Sequence, residues 1–258
     1  MCQECGCGLG SAGAGLPSGM HGAGEGHDHG KVPDRRPGGT QVLEVQQALL
    51  ERNQRQAERN RGYIRAKKVL VLNVLSAPGS GKTALIEKTG ERLRSRLRVG
   101  AIVGDLETDN DARRLRAVGI PVAAITTGTL CHLEAEMVAK AMDSLDLDRL
   151  DILFIENVGN LVCPAAYDLG EHRRVVLLSV TEGEDKPLKY PPVFHSADLA
   201  LITKTDLATV LGFDRPAALA NLMRVSHQAR ILEVSSRTGQ GMEAWLAYLE
   251  EQVEAVRQ

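Results

Sequence analysis

The chain lacks any apolar run approaching the ~20 residues that a membrane span requires, and its first residues lack the apolar stretch of a signal peptide. Charge of one sign is not in excess either. The 31 Lys and Arg nearly balance 33 Asp and Glu, for a net charge of −2 over 258 residues. So even a balance gives no electrostatic case for nucleic acid or a membrane surface as a partner. No internal repeat is present. Cysteine is scarce and odd in number, five in all, and three of the five fall within the first seven residues. This distribution argues for metal binding rather than disulfides, in a reducing compartment, and leads us to expect a cytoplasmic protein. What remains is ordinary for one large α/β domain with tails: 43% hydrophobic and 25% charged residues.

Three regions are expected. Residues 1–39 hold glycine, three histidines, three prolines and almost no large apolar side chains. Such a segment cannot bury enough surface to offset its ordering entropy, so a disordered tail is predicted. Residues 40–66 form a helical lead-in, with Val42, Val45, Leu49 and Leu50 at roughly helical spacing before a polar, Arg-rich half. This helix suits docking; a solvated lead-in helix is the alternative. From 67 to 258 strand and helix alternate. Strands are predicted at 69–75, 99–104, 122–126, 151–156, 175–180, 199–203 and 230–234. Helices are predicted at 83–96, 109–118, 132–145, 215–228 and 241–256, the second capped by Asp109 and stopped by Gly119 and Pro121. The alternation implies a mostly parallel, doubly wound sheet with ligands beyond the carboxyl ends of its strands.

Ser76-Ala-Pro-Gly-Ser-Gly-Lys-Thr83 follows the first strand and reads as a phosphate-binding loop. Gly79, Ser80, Gly81 and Ala84 would bring backbone N–H groups to a phosphate chain. Lys82 can reach the β/γ-phosphates, and the Thr83 hydroxyl can hold Mg²⁺. Ser76 stands where the common pattern has glycine. Glu156 ends a strand and can hold Mg²⁺ directly or through water, while Gly159 just beyond lets backbone approach the γ-phosphate. Asp105, at another strand end, is a candidate for the metal or for orienting water. Thr203-Lys-Thr-Asp206 resembles the guanine-reading Asn-Lys-x-Asp loop: Asp206 would accept two hydrogen bonds that adenine cannot supply, and the Lys204 stem would lie along the base. Thr203 in place of Asn is expected to weaken that loop. Ser235-Ser236 resembles the loop that offers N–H to the guanine carbonyl, which favours GTP over ATP.

Cys2, Cys5 and Cys7 place three thiols in six residues, with Gly6 letting the chain wrap one ion. Three thiolates and a fourth ligand, the terminal amine or a histidine, fit tetrahedral Zn²⁺ or square-planar Ni²⁺. His21, His27, Asp28 and His29 make a weak metal-loading tract or an incidental spacer. Cys131-His132 and Cys163 form a second candidate set, Cys163 lying on the loop that carries Gly159. Adjacent Cys131 and His132 do not readily face one ion from regular structure, which suggests a site shared between two subunits.

These residues resemble the HypB family, GTPases that help insert nickel into [NiFe] hydrogenases. The resemblance runs from the N-terminal Cys-x-x-Cys-Gly-Cys through the phosphate loop, Gly104–Arg113, Thr127–His132, Glu156–Pro164 and Val180–Pro191 to Thr203–Asp206. Glu-Asn-Val-Gly-Asn-Leu-Val-Cys-Pro and Thr-Glu-Gly-Glu-Asp-Lys-Pro-Leu-Lys-Tyr-Pro are its most specific stretches. The related urease GTPase is a poorer match, having Cys-Pro-His where this chain has Cys163-Pro164-Ala165. The resemblance implies a P-loop NTPase fold of the SIMIBI type and a slow, Mg²⁺-dependent GTPase that dimerises with GTP bound. It implies a tight nickel site at Cys2, Cys5 and Cys7, and a weaker nickel or zinc site at Cys131, His132 and Cys163 in the dimer interface. It also implies that Lys186 and Lys189 contact nucleotide across that interface, where the alternative is solvated loop charge. The implied recipients are a HypA-like nickel chaperone and the hydrogenase large subunit. Two other readings compete: a P-loop kinase for a small metabolite, and a nickel buffer with a vestigial nucleotide domain.

Overall fold

A computed structural model describes the backbone of residues 38–258 and the side chains of 47–258. The tail expected to be disordered, with Cys2, Cys5, Cys7 and the three histidines, lies outside the described residues apart from the first turn of the lead-in helix. Among the described residues, seven strands form one sheet: β1 (Leu70–Leu75), β2 (Val99–Asp105), β3 (Val122–Thr126), β4 (Ile152–Glu156), β5 (Arg173–Ser179), β6 (Leu199–Thr203) and β7 (Arg230–Val234). Every pairing is parallel, in the order β3-β2-β4-β1-β5-β6-β7. The helices are α1 (Gly38–Lys67), α2 (Lys82–Leu93), α3 (Asn110–Ala117), α4 (Ala135–Asp143), α5 (Lys186–Lys189), α6 (Pro191–His195), α7 (Ala208–Leu211), α8 (Arg215–Val225) and α9 (Met242–Arg257).

Burial explains this order. β1, β4 and β6 are buried at every position, as parallel strands covered on both faces must be. The edge strands β3 and β7 are the most exposed. Alternate residues serve opposite faces. Leu70, Leu72 and Val74 pack with Leu85, Leu115, Trp245 and Leu249 under α2, α3 and α9. Val71 packs with Ile64, Val138 and Met142 under α1 and α4, and Leu75 packs with Phe194 and Leu222 under α6 and α8. Asn73 falls between Val71 and Leu75 in this second register and is fully buried. Its amide donates to Glu171 Oε1 (3.1 Å), and its carbonyl accepts from Asn157 Nδ2 (3.2 Å). The sole tryptophan, Trp245, is fully buried and donates to Thr89 Oγ1 on α2 (2.8 Å).

The lead-in helix is longer than expected and is not a solvated rod in its second half. Ala57 and Ile64 are fully buried. Asn60 donates to the carbonyls of Ala135 (2.8 Å) and Leu169 (3.0 Å). Asn53 accepts from Ala135 N–H (2.8 Å), so α1 caps the first turn of α4, whose own N-cap residue makes no side-chain cap. Asp109 does occupy the N-cap of α3, but its carboxylate takes Arg113 Nε (2.9 Å) instead of capping. The helix expected from 132 begins at Ala135, which leaves 127–134 irregular. No described helix is long and apolar enough to cross a membrane.

Candidate functional site

β1 is the central strand, flanked by β4 and β5, and the chain leaving its carboxyl end turns through 76–81 into α2. Gly79 (φ 73°) and Gly81 (φ 96°) hold left-handed backbone, which is how the loop curls its N–H groups around an anion. Lys82 is buried, and its ammonium donates to Ser76 Oγ (3.1 Å), so the residue departing from the common pattern parks the lysine. Burial pushes the Lys82 pKa down, against the attraction of Glu156. Thr83 Oγ1 donates to Glu156 Oε1 (2.7 Å). The other oxygen, Glu156 Oε2, is buried without a hydrogen-bond partner, and burial raises this carboxyl to about 7. A hydroxyl and an unpartnered buried carboxylate oxygen at the head of a phosphate loop are the hard oxygen donors that suit Mg²⁺. Asp105 instead turns to its own loop, accepting from Glu107 N–H (3.2 Å) and Thr108 Oγ1 (3.1 Å), close enough to act electrostatically on Lys82.

Ser80, Gly81, Ala84, Lys204, Asp206 and Ser236 line a cleft of about 260 Å³ beside this loop. Ser235 Oγ donates to Asp206 Oδ1 (2.6 Å), fixing the carboxylate. Lys204, itself left-handed (φ 59°), lays its stem across the phosphate loop and donates to the Gly79 carbonyl (2.6 Å). The buried Thr203 hydroxyl donates to the Ser80 carbonyl (2.8 Å) and ties this loop to the phosphate loop, because a short hydroxyl suffices at that separation. Lys186 and Lys189 lie on α5, Lys186 over the Tyr190 ring (5.3 Å to the centroid) and Lys189 paired with Asp185 (2.5 Å).

Glu182 was not among the residues singled out. It follows β5 and meets the buried Ser80 hydroxyl, its second oxygen is buried without a partner, and burial raises its pKa. The only signal in the sequence was its place in the Thr-Glu-Gly-Glu-Asp stretch after a strand.

The internal metal-ligand set is assembled by one chain. Donor atoms of Cys131, His132 and Cys163 lie within 4.8 Å of one another, and the two sulfurs are 2.7 Å apart. Cys131 and His132 both turn their donor atoms toward Cys163 because 127–134 is irregular, so their adjacency does not by itself require a second subunit. His132 is buried and stacked on Tyr167 (centroids 3.8 Å apart, planes at 25°). Its Nε2 is buried with no hydrogen bond, and burial lowers its pKa, favouring the neutral, ligating imidazole. The loop joining this set to the nucleotide side is 157–162. A Cβ on Gly159 would sit 2.9 Å from Pro78 Cα of the phosphate loop, so only glycine allows that approach.

This sheet, its phosphate loop and the adjoining base cleft define a P-loop nucleotide-binding protein. A model of the CobW/HypB/UreG nucleotide-binding domain matches residues 70–233. The chain is 51% identical over 213 residues to the hydrogenase maturation factor HypB of Azotobacter vinelandii, covering 83% of this chain and 70% of that protein. It is 49% identical over 228 residues to HypB of Escherichia coli K12, covering 88% and 79%. The crystal structure of HypB from Helicobacter pylori in complex with nickel superposes with a TM-score of 0.76 at 38% identity, covering 79% of this chain and 96% of that one. The chain belongs to the CobW/HypB/UreG family and, within it, to the HypB hydrogenase maturation factors.

Proposed function

We propose that the chain is a GTP-hydrolysing nickel metallochaperone that couples its GTPase cycle to nickel delivery in [NiFe] hydrogenase maturation. One observation carries this reading: the loop after Glu156 touches the phosphate loop through Gly159 and Pro78 and ends at the thiol of Cys163. A loop that responds to the γ-phosphate and also holds a metal ligand links the two affinities, each ligand changing the other's by the same factor. Nickel is bound in the nucleoside-triphosphate state and released as the γ-phosphate leaves and Gly159 relaxes.

GTP hydrolysis to GDP and phosphate needs little covalent chemistry from the protein; positioning and charge neutralisation dominate. The phosphate-loop N–H groups orient the chain of phosphates, Lys82 leaves Ser76 for the β/γ-oxygens, and Asp206 and Lys204 select and hold guanine, flanked by Ser235 and Ser236. Thr83 and Glu156 would hold Mg²⁺, which supplies charge neutralisation on the phosphates. Asp105 is the residue best placed to join them if its loop turns. Cys131, His132 and Cys163 take nickel or zinc, and Cys2, Cys5 and Cys7 of the 1–39 tail form a separate nickel site. The 40–66 helix joins that tail to the 67–258 GTPase domain. The protein works in the cytoplasm as a GTP-dependent homodimer, Lys186 and Lys189 reaching across to nucleotide. A HypA-like chaperone and the hydrogenase large subunit receive the metal, with no role for nucleic acid or membrane.

The test measures Ni²⁺ affinity and dimer fraction with GDP and with a non-hydrolysable GTP analogue, beside a Cys131→Ala/Cys163→Ala variant. The expected result is dimerisation with the analogue and a shift in nickel affinity that requires both cysteines. Nickel affinity indifferent to nucleotide in both proteins would remove the switch.

A further inference from the structure

The internal thiols are carried by two segments distant in sequence, one between β3 and α4 and the other after β4. Neither segment is a regular element that would hold its sulfur in place: Cys131 is in the irregular 127–134 stretch, and Cys163 begins a single turn of 3-10 helix. Besides the sulfur–sulfur contact and the His132–Tyr167 stack, one side chain bonds to the backbone of both. Asn160 Nδ2 donates to the carbonyl of Cys131 (3.2 Å), while Asn160 Oδ1 accepts from Val162 N–H (2.8 Å), the residue just before Cys163. The two bonds fix the amide's orientation, since only one way round meets a carbonyl with NH₂ and an N–H with oxygen. The residue before it, Gly159, is the one pressed on Pro78. The residue two before it, Val158, accepts Asn160 N–H (2.8 Å), so the backbone here is a tight turn that cannot shift at Gly159 without moving Asn160.

We infer that Asn160 is the positioning residue of the internal metal site: its amide clamps the two thiol-bearing segments at their common distance and passes the phosphate loop's state to them. This rests on the reading of Cys131, His132 and Cys163 as a metal site. Groups that orient ligands from outside the coordination sphere commonly set metal affinity by 10–100-fold. Here the clamp acts on backbone. Its loss therefore lets the Cys131 and Cys163 sulfurs separate while leaving all three ligands chemically intact. A displacement of Gly159 toward or away from Pro78 would tilt the Asn160 amide, lengthening one of its two bonds. The nearer partner in sequence, Val162, would move with it, and the Cys131 carbonyl would not.

The experiment uses the full chain carrying Cys2→Ala, Cys5→Ala and Cys7→Ala, so that Cys131 and Cys163 are the only thiols left. Co²⁺ binding is followed by its thiolate charge-transfer absorption, and Ni²⁺ affinity is measured with GDP and with a non-hydrolysable GTP analogue. Three proteins are compared: this parent, Asn160→Ala, which loses both bonds, and Asn160→Asp, which keeps an acceptor for Val162 N–H and loses the donor to Cys131. Both variants are expected to bind Co²⁺ about 10-fold or more weakly, and the ratio of Ni²⁺ affinities between nucleotide states should fall toward one. Thermal melts without metal serve as the folding control, and the claim concerns variants that melt as the parent does. Parent-like Co²⁺ affinity and nucleotide ratio in both variants would overturn the clamp. Weak Co²⁺ binding in Asn160→Ala with parent affinity in Asn160→Asp would overturn the two-ended bridge. A parent that binds Co²⁺ through its thiols but shows no nucleotide dependence would sink the delivery switch, with the Co²⁺ comparison still deciding Asn160's positioning role.

Discussion

Glu156 is the residue on which the nucleotide site's pH behaviour turns. Buried and bonded only through Oε1, its carboxyl sits at about 7 instead of 4.5, desolvation outweighing the nearby Lys82 charge. Below about 7 the metal-free protein therefore carries a proton there that Mg²⁺ must displace. Mg²⁺ affinity should weaken as pH falls through 7, by up to tenfold per pH unit, with proton release on binding measurable by calorimetry in two buffers. The stability consequence has the opposite sense. A carboxyl raised in the folded state favours folding below its unfolded value near 4.5 and loses that contribution as pH rises through about 7. Glu156→Gln should thus gain stability over the parent between about pH 5 and pH 8, seen in metal-free urea melts; a constant difference across that range would contradict the shifted carboxyl. The sequence announced Glu156 by its place at a strand end. It could not announce Glu182, because a carboxylate's importance there comes from a buried serine hydroxyl contributed about a hundred residues earlier in the chain. Thr203 likewise has a partner that only the fold supplies. A motif comparison sees a missing amide, whereas the folded chain presents a carbonyl at the right distance for a hydroxyl.

Elements were legible where burial and period agree. The seven strands lie within one or two residues of expectation, since continuous apolar runs leave few alternatives. The start of α4 was less legible. The apolar periodicity that identifies α4 does not reveal that its first turn is capped from α1, and the irregular 127–134 stretch before its start is what lets Cys131 and His132 turn toward Cys163. The docking of the second half of α1 was less legible, because Asn53 and Asn60 share it with buried Ala57 and Ile64 in a stretch that reads as polar. Asn60→Ala should therefore act as a core change: it strands the buried carbonyls of Ala135 and Leu169, at a cost of roughly 1–3 kcal/mol. Denaturant unfolding measures this directly, and a loss below a few tenths of a kcal/mol would mean that α1 does not belong to the folding unit.

At the scale of the whole molecule, the nucleotide cleft and the thiol pair share one rim of the sheet, while the tail thiols lie at the far end of the sequence. This predicts separable functions. Lys82→Ala should lower the proposed GTP turnover by on the order of 10²–10³-fold or more, through loss of the charge that meets the phosphates, and should leave the proposed nickel site at Cys2, Cys5 and Cys7 intact. Phosphate release and nickel titration of the same preparation read both, and joint loss would refute two modules. Topology also decides what can be watched optically. Trp245 sits in the core under α9, its indole N–H held by Thr89. Its emission should be that of a desolvated indole and should report the melting of the core, with little to say about a metal entering beside Tyr167. Turnover-linked spectroscopy will need a reporter of its own on the 157–162 loop, and the exposed Val162 offers a place to attach one without disturbing packing.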